Sequence, residues 1–255
     1  MQKLLTGSWQ FRPFVLLYFV QGLVGGYLAM ALRYYLEKGM GEDGFNIAEV
    51  GKFLATLALP WSYKFLAAPL LDAWVSWRRK APKEGYFDWV KLANYFMLFG
   101  LLLLCFGFDA QVLMWAAFLV NSGRALQDLG TDALAIHLVH KDDQVEMQAS
   151  VQMAAVLGFL LGGSAVLTLQ EKGVLAWPDL TPWVLVLVLV LGLLLPAYFL
   201  SRFEKTHDSG AEEREAEVVD VVDPGLGAAA GISLGVLVLA GLLAVLAQIS
   251  ESFVD

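Results

Sequence analysis

An all-α membrane protein of about seven transmembrane helices is the fold this sequence predicts. Of its 255 residues 58% are hydrophobic and only 16% charged, with a mean hydropathy of +0.62, a balance that soluble domains do not show. Apolar runs of about twenty residues, the length that crosses a bilayer, fall at roughly 13–33, 50–72, 90–108, 111–135, 149–169, 182–200 and 227–248. Lysine and arginine gather in alternate connections between those runs, as topology in a membrane requires.

The first run follows Lys3 and Arg12 and has no small-residue cleavage site, so it reads as a retained span and not a signal peptide. It carries Gln21, Gly22 and Gly26. The second run places Lys64 between Pro60 and Pro69, then closes on Asp72 and the basic turn Trp77-Arg78-Arg79-Lys80. A lysine this deep among apolar residues is costly in lipid, so it is paired inside the protein or set on a solute path. The third run holds Asn94 and Cys105, and this single cysteine rules out a disulfide framework and a cysteine-based metal site.

The fourth run carries Arg124, Asp128 and Asp132 at four-residue spacing, one stripe along a helix face. Carboxylates so placed repel, more strongly at low dielectric, and at least one must be neutralised by a partner or a proton. His137 and His140 follow at the surface, where such histidines are ordinarily solvated. The fifth run contains Gln152, Gly158 and Gly162; the seventh contains Gly227, Gly231 and Gly235. Glycines four apart let helix backbones approach closely, which is where packing energy in lipid comes from. Gln21, Asn94, Asn121 and Gln152 are expected as interhelical hydrogen bonds.

Much of the net charge of −8 lies in Glu204 to Asp223, which ends in Asp223-Pro224-Gly225. The chain therefore divides into a six-span bundle over 1–200, an acidic linker over 201–226, and a seventh span with a short tail over 227–255. The acidic balance argues against nucleic acid as a partner. Arg78, Arg79, Lys80, Lys83, Lys91, Lys141, Arg202 and Lys205 fall on the side of Lys3 and Arg12, against Arg33, Lys38, Lys52 and Lys172 opposite. This asymmetry puts the N-terminus and the linker in the cytoplasm and Asp255 outside.

Counting about 1.5 Å of rise per residue from the cytoplasmic ends of spans two and four, Lys64 and Asp128 share a depth, as do Asp72 and Asp132 nearer the cytoplasm. Lys64 is accordingly expected to meet Asp128, and Asp132 to pair with the Arg78-Arg79 turn. Such a network would carry protons and solute past buried charges, or merely lock the two spans together.

Gln21-Gly22, Pro60-Trp61-Ser62-Tyr63-Lys64-Phe65 with Ala68-Pro69-Leu70-Leu71-Asp72, and Gln127-Asp128 with Asp132-Ala133 resemble the N-terminal half of the AmpG-type muropeptide permeases and the acetyl-coenzyme A transporters of the major facilitator superfamily. Asp72 and the basic loop are also similar to that superfamily's cytoplasmic gating signature, without the glycine that usually precedes the aspartate. The resemblance implies a six-helix facilitator bundle plus one further span, in which spans one and four line a central cavity and two and five face the other half. It implies that Gln21, Arg124 and Asp128 look into the cavity and that Asp72 sits at the interface between halves; with Lys64 the first three are the expected substrate and proton pathway, and Asp72, Arg78, Arg79 and Asp132 the expected gating charge network.

The expected function is a secondary-active, proton-coupled transporter, or its N-terminal half, for amphiphilic sugar-peptide solutes in a bacterial inner membrane. Its partners would be the bilayer, a small solute with a proton, and a second six-span half, from the same or another chain. The alternative is a non-transporting membrane subunit that assembles a larger complex. No nucleophile elbow, metal-ligand cluster or phosphate loop is legible, so neither an enzyme nor a cofactor is expected.

Overall fold

A computed structural model describes residues 11–39, 45–78, 82–106, 110–139, 141–172 and 181–196. The described chain is helical, in the segments α1 (Arg12–Lys38), α2 (Ile47–Arg78), α3 (Pro82–Leu104), α4 (Ala110–Leu138), α5 (Lys141–Glu171) and α6 (Thr181–Leu194). Local chemistry sets the ends. Pro13 opens α1 with a preset backbone angle and no amide hydrogen to lose. Asn46 caps α2: its Oδ1 accepts from the Ala48 and Glu49 amides at 2.9 and 3.1 Å, while Glu49 returns a carboxylate to the Asn46 amide at 2.7 Å.

Four of these helices, α1, α2, α3 and α5, are long and apolar enough to cross a membrane. Of the seven spans expected, these four meet that measure among the described residues. Helix α4 is 29 residues long but carries Arg124, Asp128 and Asp132 along its length, and α6 is a shorter apolar helix. The acidic linker, the seventh span and its glycines lie outside the described residues.

Packing follows burial. Helix α1 is the most enclosed span, with 72% of its apolar window buried, and α2 and α5 are the least, at 22% and 28%. Helix α4 packs lengthwise on α3, α1 on α5, and α2 on α4, while α6 covers α1 and α3. The main core joins Val24, Tyr27 and Leu28 of α1 to Phe53 of α2, Met97 and Leu101 of α3, Leu113 and Val120 of α4, and Val188 of α6. Tyr27 Oη meets Thr181 Oγ1 at 2.5 Å, which ties α6 to α1.

The glycine spacing does the packing work expected of it. A Cβ at Gly22 or Gly26 would enter the carbonyl oxygens of Ala155 or Phe159, and one at Gly158 or Gly162 those of Phe19 or Leu23. The backbones of α1 and α5 are therefore in direct contact. Both helices widen into π turns, Tyr27–Leu32 and Leu161–Ala165, which lie against each other.

Candidate functional site

Lys64 sits on α2 between two helix-interior prolines. Neither proline has an amide hydrogen, so the i→i−4 ladder is interrupted on both sides of the lysine. Its ammonium reaches across to α4 and binds Asp128 Oδ2 at 2.5 Å. The Asp128 side chain is 9% exposed and that of Lys64 35%, so a buried carboxylate is neutralised by a half-buried cation. The pair expected from equal depth is present.

Gln21 completes the surroundings of Asp128. With its carboxamide oriented to satisfy both groups, it donates to Asp128 Oδ1 at 3.2 Å and accepts from the Asp128 amide at 3.1 Å. One turn away, Arg124 donates through Nε to the Gln21 carbonyl at 2.9 Å and through Nη1 to Asn121 Oδ1. A Cβ at Gly25 would occupy the space of that guanidinium. Trp61 lies between the two cations, 5.2 Å from Lys64 Nζ and 5.5 Å from Arg124 Cζ, within cation–π range. Asn121 binds this group to the scaffold by donating to the Leu57 carbonyl and accepting from Trp61 Nε1 at 3.4 Å.

Gln21, Trp61, Lys64, Arg124 and Asp128 line a cavity of about 510 Å³ between α1, α2, α4 and α5, which Tyr18, Asp132, Gln148, Gln152 and Phe159 also reach. Its size is that of a small-molecule site. Two cations, Lys64 and Arg124, face two carboxylates, Asp128 and Asp132, so the charges balance. Among the described residues no group of three or more histidine, cysteine or acidic side chains converges as a metal would need.

The gating residues are placed differently from expectation. Asp132 accepts a hydrogen bond from Tyr18 Oη of α1 and lines the cavity. Arg78 does not reach it; its guanidinium lies over the Trp74 ring at 4.6 Å. Asp72 accepts from Tyr86 Oη at 3.4 Å, and Tyr86 stacks on His137 at 5.0 Å. Arg79 and His140 lie outside the described residues.

Asn94 and Asn121 make interhelical hydrogen bonds as expected, Asn94 accepting from Gln127 at 3.1 Å inside the α3–α4 contact. Gln152 does not: it is exposed on the cavity wall with Gln148, one turn apart on α5, and neither has a hydrogen-bond partner among the described residues. The sequence reading missed Tyr18 and Gln148. Tyr18 lies three residues before Gln21 and so shares its helix face, and Gln148 precedes Gln152 by one turn. No protein-family model matches the chain, and no solved structure matches it.

Proposed function

We propose that the chain is a proton-coupled solute transporter of the major facilitator type, or its N-terminal half. It acts in a bacterial inner membrane with its N-terminus in the cytoplasm, and takes amphiphilic, muropeptide-like sugar-peptide solutes. It is a carrier and not an enzyme. The observation that carries this reading is the cavity of about 510 Å³ whose wall holds Lys64, Arg124, Asp128 and Asp132 in a bundle of apolar helices. Ionised groups at such a position are costly, and a solute or ion pathway is the usual reason for them.

Gln21, Lys64, Arg124 and Asp128 form the pathway. The coupling proton is taken up at Asp128, which then releases Lys64. The outward faces of α2 and α5 support a second half as partner. Phe65 is 66% exposed on α2, and Met153, Leu157 and Leu160 are 60, 54 and 49% exposed on α5, an apolar surface that needs lipid or protein against it. Transporters of this type bind solute at the interface of two such bundles.

Uptake of a labelled disaccharide–tripeptide into membrane vesicles carrying this chain with a partner half tests the proposal. An imposed proton gradient is expected to drive accumulation, and Asp128→Asn to abolish it. Gradient-driven accumulation that survives Asp128→Asn removes the coupling role of that residue. No uptake in any arm favours the non-transporting subunit.

A further inference from the structure

Among the described residues Tyr18 supplies the one hydroxyl in the cavity wall, and the transport reading leaves it unused. Its ring is fixed in the apolar cluster formed with Phe14 of α1, Leu134 of α4 and Val151 of α5. That packing leaves its hydroxyl aimed at α4. The hydroxyl donates to Asp132, and Tyr18, Asp128 and Asp132 line the same cavity. These two carboxylates are one turn apart on α4, about 6 Å along the axis.

A phenol has one proton to give and lone pairs with which to accept. It therefore donates to one carboxylate while accepting from the other when that one carries a proton. The charged groups facing it are Lys64 from α2 and Arg124, Asp128 and Asp132 from α4, while α5 presents only the neutral Gln148 and Gln152. Lys64 holds Asp128, and Asp132 makes no salt bridge among the described residues.

We propose that Tyr18 relays a proton from Asp132 to Asp128, and that this transfer opens the Lys64–Asp128 ion pair. The inference rests on the proton-coupled reading and assigns it a route. The Asp132 carboxyl proton passes to the Tyr18 oxygen as the Tyr18 hydroxyl proton passes to the Asp128 carboxylate. Tyrosine ends as it began, Asp132 is left ionised and Asp128 neutral. One O–H bond has been broken and one made at each transfer, and no other reactant is needed.

Time-resolved infrared spectroscopy of the full chain in lipid nanodiscs after an acid pH jump tests this, with the carboxyl C=O bands assigned by Asp128→Asn and Asp132→Asn. Tyr18→Phe is expected to slow protonation of Asp128 at least tenfold and leave its final extent unchanged, and Asp132→Asn to slow it similarly. Protonation of Asp128 at the wild-type rate in Tyr18→Phe overturns the proposal, because water in the cavity then delivers the proton directly. Should Tyr18→Phe fail to fold, 3,5-difluorotyrosine at position 18 keeps the ring and hydroxyl and changes the acidity. A relay then gives an altered rate, and a merely structural hydroxyl gives the wild-type rate. The readout needs no solute, so a failed uptake assay beside an intact infrared result rejects the carrier and leaves the relay standing.

Discussion

Lys64 and Asp128, on helices α2 and α4, close an ion pair at 2.5 Å in which the carboxylate is nearly sealed from solvent and the ammonium is not. Exposure is therefore unequal across the pair, and so is the cost of losing either partner. Removing the lysine strands a buried anion; removing the carboxylate strands a cation that water can reach.

Lys64→Met is accordingly expected to destabilise the chain by about 3 kcal/mol and Asp128→Asn by about 1 kcal/mol. The double substitution Lys64→Met with Asp128→Leu recovers most of the loss. Unfolding followed by tryptophan fluorescence in mixed micelles measures all of these, and equal losses for the two single variants would contradict the unequal burial.

Arg124→Lys keeps the charge but not the planar fork that reaches the Gln21 carbonyl and Asn121 together. A loss of about 2 kcal/mol follows from forfeiting a charged hydrogen bond. Trp61 stacks on that guanidinium, so its emission is expected to shift as well. An unmoved unfolding midpoint would show that the fork is not used.

Much of this site was legible before any coordinates, and the parts that were not share a physical cause. Helical rise fixes depth, so equal counting from the helix ends paired Lys64 with Asp128 correctly. It says nothing of direction around the axis, and Asp132, matched by the same count to the Arg78 turn, faces Tyr18 of α1 instead. Glycine spacing was readable because a missing side chain has few other uses in lipid. Tyr18 and Gln148 were not, since a lone tyrosine or glutamine in an apolar run carries no signal until a neighbouring helix is placed beside it. Helix α4 was counted with the apolar spans, and its polar stripe of Arg124, Asp128 and Asp132 faces the cavity shared with α1, α2 and α5.

Glycine substitutions separate contact from open space. Gly22→Ala and Gly162→Ala are each expected to cost about 1–3 kcal/mol, because the added methyl meets a backbone carbonyl that has no room to retreat. Gly51→Ala in α2, with nothing within 4 Å of its Cβ position, is expected to be neutral or to gain about 0.5–1 kcal/mol from reduced backbone freedom. The same micelle unfolding assay ranks the three, and a reversed order would overturn the close approach of α1 and α5.

Gln127 is fully buried and donates to Asn94 across α3 and α4. Gln127→Leu is expected to cost about 1 kcal/mol, the scale of an interhelical hydrogen bond in a membrane protein. Adding Asn94→Leu is expected to cost less than the sum of the two single changes, since both partners are then gone. A double-mutant cycle yielding strict additivity would show that this bond contributes nothing.

Where main chain lies directly on main chain, as along Gly22, Gly26, Gly158 and Gly162, there are no side chains to re-rotate and little slack to yield. Helices α1 and α5 thus behave as one plank. Any change in the width of the cavity must then be borne by its opposite edge, where α2 has two breaks in its hydrogen-bond ladder and, among the described residues, one ionic clasp to α4.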